Sequence, residues 1–285
     1  MIANQPAHTG APTTLAQALS QAQAGGLPRI DAQLLLLHVL DRTPQGRAWL
    51  LAHDTDPMPA EAGARYAALC ERRHAGEPVA YLTGCKEFYG LPLAVDARVL
   101  DPRPDTETLV DWALQAIAPL PAPRVADLGT GSGAIALAIK HQRPTAEVTA
   151  VDASADALEV AGANAERLRL AVRLRRGHWL EGIEGPFDLI VSNPPYIAAD
   201  DPHLAALTHE PLQALASGAD GLDDLRAIAA QAPTRLAPGG WLLLEHGWDQ
   251  AGTVQALLAA AGFTGVQSRA DLAGVARCTG GRLPG

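Results

Sequence analysis

The chain has 285 residues, 48% hydrophobic and 19% charged, a globular composition long enough to bury one large core or two smaller ones. Its formal charge is −9, from 31 acidic and 22 basic side chains, and only Lys86 and Lys140 are lysines. That balance argues against free-standing affinity for nucleic acid, which needs Lys and Arg to displace counterions. It leaves room for a local basic patch, or for a partner that carries the positive charge.

The opening, MIANQPAHTGAPTT, is polar and punctuated by proline and glycine; it is expected to be a flexible lead-in. It has neither a basic n-region nor an apolar h-region, so no secretory signal is expected, and no run of 18 apolar residues follows anywhere. Cys70, Cys85 and Cys278 lie far apart without a CxxC spacing, and the nine histidines form no HxxxH or HExxH pair. Neither a disulfide framework nor a metal site is expected, and a reducing, cytoplasmic location fits.

From Thr14 the apolar spacing becomes helical. LAQALSQAQAGG puts Leu15 and Leu19 on one face and is stopped by Gly25-Gly26. DAQLLLLHVL follows, with Asp31 as its candidate N-cap. Segments near residues 49–54 and 60–74 complete a small helical bundle over residues 1–77. At 78–101, VAYLTGCKEFYGLPLAVDARVL alternates aromatic and aliphatic residues around Gly84 and Gly90-Leu91-Pro92, which predicts a β-hairpin or extended linker.

From residue 102 to 285 the rhythm is strand, loop, helix. RVADLG (124–129), AEVTAVD (146–152), AVRLRR (171–176), FDLIVSN (187–193) and GGWLLLEHG (239–247) read as buried strands. Helices are expected between the first four, and a long insert with a helix before the fifth. The pattern predicts an α/β fold with an open parallel sheet covered on both faces. In PRPDTE, Arg103 and Glu107 open a helix with Thr106 as candidate N-cap, and the segment lines either an acceptor site or only the helix start. Arg173, Arg175 and Arg176 form a small basic cluster that usually means a solvated face. Cys85 reads as an apolar filler and His246 as a strand-end hydrogen-bonding residue.

The first strand ends in DLGTGSGAIALAIK. Asp127 precedes a loop of Gly129, Thr130, Gly131, Ser132 and Gly133, whose glycines permit a tight turn and close approach of a ligand to the backbone. The spacing is GxGxG rather than the GxGxxG of dinucleotide folds, and Asp127 would repel a diphosphate while suiting a ligand with a positive amino group. Asp152, about 20 residues on at the end of the second strand, is placed to accept from both ribose hydroxyls. Acid, glycine loop and acid together resemble the S-adenosylmethionine site of the seven-stranded methyltransferases.

Asn193-Pro194-Pro195-Tyr196 follows the fourth predicted strand. Paired prolines cannot continue a strand, and they stiffen a turn at the carboxyl edge of the sheet, where open α/β folds bind ligands. An amide nitrogen is a poor nucleophile because its lone pair is delocalised. The Asn193 side-chain oxygen and the Pro194 carbonyl would hold its two N–H bonds and stabilise the positive charge that builds during attack. Tyr196 can pack on the amide face.

With both motifs on one chain, the sequence resembles the N5-glutamine methyltransferases of peptide chain release factors. YLTGCKEFYGLPL (81–93), DPRPDTETLV (101–110), NPPYIAADDPHL (193–204), EPLQALASGADGL (210–222) and LLLEHGWDQ (242–250) carry the likeness in order over most of the chain. The resemblance implies a Rossmann-like class I, seven-stranded S-adenosylmethionine-dependent catalytic domain at 102–285, behind a docking bundle at 1–77 and the hairpin linker at 78–101. It implies S-adenosylmethionine as donor, with no metal, and the Gly-Gly-Gln glutamine of class I release factors as acceptor. The protein would be a monomer with no stable nucleic-acid or membrane partner. Carried over, the loop 129–133 with Asp127, Asp152 and Asn193 contacts the cofactor, Trp179 packs near its adenine, and Asn193, Pro194, Pro195 and Tyr196 grip the glutamine. Asp101 and the LTHEP segment (207–211) depart from the family's usual residues. Two rival chemistries share the turn: amino methylation of adenine in DNA and methylation of a ribosomal-protein glutamine. A protein that only binds the cofactor is the third alternative.

Overall fold

The computed structural model describes residues 14–43 and 46–285, so the expected lead-in lies outside the described residues apart from Thr14. The chain forms two compact units, one reaching to Thr83 and one from Gly84 to Gly285.

The first unit holds α1 (Leu15–Ala24), α2 (Arg29–Val39), α3 (Arg47–Ala52), α4 (Ala60–His74) and α5 (Val79–Thr83). Thr14 caps α1 in a reciprocal box: its hydroxyl accepts from the Gln17 N–H at 3.2 Å, and the Gln17 side chain accepts from the Thr14 N–H at 3.1 Å. Asp31 does not cap α2. The helix starts two residues earlier, after Pro28, and the Asp31 carboxylate instead accepts from Arg73 Nε of α4 at 2.8 Å. The Leu35–Leu37 run of α2 is the centre of this unit's core, closed by Leu15, Leu50 and Tyr66. The linker region therefore begins helically, with α5.

Its hairpin is β1 (Cys85–Phe88) and β2 (Leu91–Ala94), antiparallel, with Phe88 opposite Leu91. The two-residue turn needs positive φ at both positions, and Tyr89 (51°) and Gly90 (79°) supply it. A tyrosine is costly there. Two bonds to α6 (Glu107–Ile117) hold it: its N–H donates to Glu107 Oε1 at 3.0 Å, and its hydroxyl to Asp111 Oδ1 at 2.6 Å.

The remaining strands are β3 (Arg124–Leu128), β4 (Glu147–Asp152), β5 (Arg173–Arg176), β6 (Phe187–Ser192), β7 (Leu236–Glu245), β8 (Thr264–Ala270) and β9 (Ala276–Arg282). They form one seven-stranded sheet in the order β5-β4-β3-β6-β7-β9-β8, with β9 antiparallel to its neighbours and the pairs from β5 to β7 parallel. The five strands read from sequence are all present, but β5, expected to be buried, is the edge strand and largely exposed. The two C-terminal ones carry few fully buried apolar side chains and follow no strict alternation.

Between these strands lie α7 (Ala134–Gln142), α8 (Ala155–Leu168), α9 (Asp223–Gln231) and α10 (Ala251–Ala260). Period-two alternation assigns them to faces. Leu242 and Leu244 pack with Leu225, Ile228, Val254 and Leu258 of α9 and α10. Leu243, which points the other way, lies beside Trp112 of α6 at Gly280. No helix joins β5 to β6, against expectation. Three strand spacings of about 4.8 Å separate them, and the connection must also return along the sheet. Ten helical residues would span only about 15 Å, too little, so the segment runs as turns. No helix among the described residues is long and apolar enough to cross a membrane.

A fully buried amide ties the hairpin to the rest. Asn164 of α8 accepts from the Ala94 N–H at 2.7 Å, and its Nδ2 donates to the Ala94 carbonyl at 2.9 Å and to the Ser132 carbonyl at 3.0 Å. Asn164→Ala leaves three backbone groups unpaired, and we expect it to cost about 3 kcal/mol of unfolding free energy. The check is a shift of the urea midpoint at constant slope.

Candidate active site

The site lies at the carboxyl ends of the parallel strands. Asp127 leaves β3 fully buried, and its Oδ2 accepts from the Thr130 hydroxyl at 2.6 Å and from the Ala136 N–H at 3.1 Å. Gly133, at the N-cap of α7, has no side chain to cap it and sits at φ 83°, with Leu137 and Ala161 pressed against where a Cβ would be. Asp127, six residues upstream, therefore supplies the cap. Its other oxygen, Oδ1, is buried with no partner among the described residues.

The loop closes against β4. The Thr130 N–H donates to the Val151 carbonyl at 3.0 Å, and the Gly131 N–H to Asp152 Oδ2 at 2.9 Å. Asp152 Oδ1 accepts from the Ser154 N–H at 2.9 Å, so the carboxylate is fixed from both sides. Gly131 has open space where a Cβ would stand, whereas Gly129 would meet the Trp179 ring at 3.2 Å. Trp179 itself holds φ 54°, and its indole N–H donates to Asp224 Oδ1 at 3.2 Å.

Asn193 is the first residue beyond β6, whose last residue, Ser192, donates its hydroxyl to the Leu128 carbonyl at 2.7 Å. Pro194 and Pro195 are buried. After them the chain zips onto the insert before α9: the Tyr196 and Ile197 N–H groups donate to the Leu215 carbonyl, and the Ser217 N–H to the Ile197 carbonyl. Gly221 (φ 74°) lies so close that a Cβ would fall 2.2 Å from the Tyr196 carbonyl oxygen.

Two cavities meet at this point. A cleft of about 220 Å³ is lined by Gly129, Gly131, Asp152, Trp179, Asn193 and Pro195 of the predicted residues. A smaller cavity of about 130 Å³ is lined by Arg103 and Tyr196 with apolar Ile197, Leu207 and Leu215. Asn193, Leu100 and Ala214 line both. The buried members Asp127, Thr130, Ser132 and Gly133 are not among the lining residues; they form the loop that shapes the cleft.

Sequence reasoning missed several groups here. Thr106 does not cap α6: its backbone is already helical and its hydroxyl accepts from Asn193 Nδ2 at 3.3 Å. Glu245, last in β7 and 1% exposed, faces both Thr106 and Asn193, which act on its carboxyl. A charged residue closing the apolar run WLLLE was the available signal. Glu210 of LTHEP is buried, accepting from Arg103 at 2.5 Å and from the Asp101 N–H at 3.2 Å, while the Asp101 carboxylate lies 3.1 Å from Lys86 Nζ. Of the two departures from the expected pattern, Asp101 thus sits in an ion network beside the smaller cavity, joined there by Glu210 of the LTHEP segment rather than by the departing residue before it. His246 bonds the Gly247 carbonyl and the Thr279 hydroxyl, both at 2.8 Å, as expected of a strand-end histidine.

Burial raises the carboxyl pKa of Asp127 from its ordinary 3.8 to about 7, against the lowering bonds from Thr130 and Ala136. A raised acid binds its proton more tightly folded than unfolded, so between about 4 and 7 stability falls as pH rises. We expect the wild type to lose stability relative to Asp127→Asn across that interval, read from denaturant midpoints at each pH.

Residues 106–219 match the family model described as a methyltransferase small domain, and residues 13–84 the one described as the PrmC N-terminal domain. A release factor glutamine methyltransferase of Bordetella pertussis is 54% identical over 90% of this chain and 96% of its own length. One from Xylella fastidiosa is 52% identical over 94% and 98%. Among solved structures, the T. thermophilus 16S rRNA N2 G1207 methyltransferase, in complex with AdoMet and guanosine, aligns over 70% of this chain and 49% of its own, with a TM-score of 0.51 and 19% identity; this likeness speaks to the fold. Identity above half, sustained over nearly the whole of each relative, establishes that this chain belongs to the release factor glutamine methyltransferase family.

Proposed function

We propose that the chain transfers a methyl group from S-adenosylmethionine to the side-chain amide nitrogen, N5, of the glutamine in the Gly-Gly-Gln motif of class I release factors, in the cytoplasm. The observation that carries this reading is the position of Asn193 at the junction of two cavities, the larger lined by the glycine loop, Asp152 and Trp179, the smaller by Arg103, Tyr196, Ile197, Leu207 and Leu215. The names of the relatives support the acceptor, and the AdoMet complex of the structural neighbour supports the donor.

The larger cleft fits a sulfonium nucleoside. Asp152, already held by two backbone N–H groups, keeps lone pairs for the ribose hydroxyls. Trp179 offers an aromatic surface for the adenine, and Gly131 leaves the backbone open to close approach. Asp127 places an unpaired buried oxygen behind the loop, where negative charge favours a cation. When bound, S-adenosylmethionine supplies a methyl group activated by the positive sulfur.

The protein's own groups orient the acceptor. The Asn193 oxygen and the Pro194 carbonyl accept from the two N–H bonds of the glutamine amide and stabilise its growing positive charge. The proline pair fixes the spacing of these acceptors before the substrate arrives. Tyr196, its carbonyl tied to Gln250 Nε2 at 3.0 Å, presents its ring to the amide face. No general base is needed in advance, because the methylated amide sheds its proton readily. The helical first unit is the docking domain for the release factor.

The test is transfer of label from radiolabelled S-adenosylmethionine to a class I release factor, the same factor with the motif glutamine replaced, a ribosomal protein and duplex DNA. Label only on the intact factor is the expected result. Label on DNA or on the ribosomal protein overturns the choice of acceptor. Asn193→Ala is expected to lower kcat by about 10²–10³-fold with donor affinity kept, by analogy with loss of one oxyanion-hole group. Asp152→Ala is expected to weaken donor binding by about 1.5–3 kcal/mol, measured as Kd by calorimetry.

A further inference from the structure

Glu245 is a buried carboxyl that the proposed reaction does not use. Its neighbour Leu244 pairs in register with Ser192 of β6, so Glu245 stands level with Asn193 on the adjacent strand. Thr106 and Asn193 both act on its carboxyl, while its Oε2 is buried with no partner among the described residues, free to take a bond from either. Thr106 Oγ1 accepts one Asn193 Nδ2 proton, which leaves its own single proton for Glu245.

While Glu245 is ionised, the donors and acceptors in this triad have only one consistent assignment. A carboxylate accepts and never donates. With Glu245 ionised, the –NH₂ end of Asn193 must face Glu245 and Thr106, and its oxygen must face away from them. With Glu245 protonated, its O–H can donate to the Asn193 oxygen, and the reversed amide becomes equally well bonded. We infer that Glu245, through Thr106, is the positioning residue that turns the Asn193 oxygen, rather than its –NH₂, toward the acceptor. This rests on the function proposed above.

The groups facing Glu245 are Arg277 and Cys278 on β9, Asp105 and Thr106 before α6, and Asn193 and Tyr196 beyond β6. Burial is the largest influence and raises the carboxyl to about 7; Thr106, Arg277 and Asn193 act against it, and Asp105 with it. The amide orientation is therefore expected to be lost on the acid side of neutrality.

Three variants and two readouts test this. Glu245→Gln and Thr106→Val are expected to lower kcat roughly 10–100-fold at pH 8, with donor Kd and thermal midpoint near wild type, and Thr106→Ser to recover most of the loss. In the wild type kcat falls below about pH 7, and in Glu245→Gln that acid limb is absent. Independently of turnover, the ¹H–¹⁵N signal of the Asn193 side-chain amide is expected to titrate near pH 7 in the wild type and to be flat in Glu245→Gln. Wild-type kcat retained within twofold in Glu245→Gln, or an Asn193 signal that titrates alike in both proteins, overturns the inference. A wild type without transfer to the release factor overturns the function instead, and the amide titration still decides the role of Glu245.

Discussion

The whole site hangs on a carboxylate that joins a strand to a helix. Asp127, one residue before the end of β3, holds through one oxygen both the Thr130 hydroxyl and the Ala136 N–H in the first turn of α7. Without it the glycine loop would have no fixed path, since glycines at 129, 131 and 133 supply conformational freedom and no restraint. The loop then presents the Gly131 N–H to Asp152, and that bond sets the second carboxylate. Burying Asp127 costs desolvation, which is why its pKa rises toward neutrality. An unpaired anionic oxygen in such a place is poorly solvated, and a cation brought into the cleft relieves it.

A similar arrangement recurs two strands away. Glu245 closes β7 much as Asp127 stands one residue from the end of β3, both buried, both raised to about 7, and each with one oxygen that has no partner among the described residues. Asp127 organises the loop of the larger cleft; Glu245 organises the residue shared with the smaller one. In a parallel sheet all strand ends lie along one edge, so acids that close buried apolar strands gather there without needing proximity in sequence.

What could be read from sequence was what lies within one short segment. The loop 127–133, Asp152 and the turn 193–196 carry their chemistry in consecutive residues, and their placement after strands follows from the buried runs before them. Asn164, Thr106 and Glu245 were illegible in these roles because their partners lie 70, 87 and about 50 residues away, across elements that only the fold brings together. Local rules also misled in definite ways. Thr106 and Asp31 have the composition of helix caps, but each side chain finds a stronger tertiary partner and the helix starts without it. A helix was expected between β5 and β6, yet the distance between these strands excludes one. In β8 no side chain is fully buried, so the apolar signal that marks a central strand is missing there.

The division of labour follows the chain. The loops after β3, β4 and β5 line the larger cleft alone, whereas the segment before α6 and the insert between β6 and α9 reach both cavities and wall most of the smaller one. That insert is held to the proline turn by backbone bonds from Tyr196, Ile197, Ala199 and Ser217, and by a glycine at 221 where any side chain would strike the Tyr196 carbonyl. The Arg103–Glu210 pair clamps it from the other side. Backbone bonding constrains shape but not side-chain identity, so positions such as Leu207 and Leu215 are free to change the lining of the smaller cavity without moving Asn193. The glycine loop and Asp152 have less freedom, because their N–H groups and carboxylate are fixed against the sheet. Under the function proposed above, acceptor choice follows from the insert and methyl transfer from the strand ends.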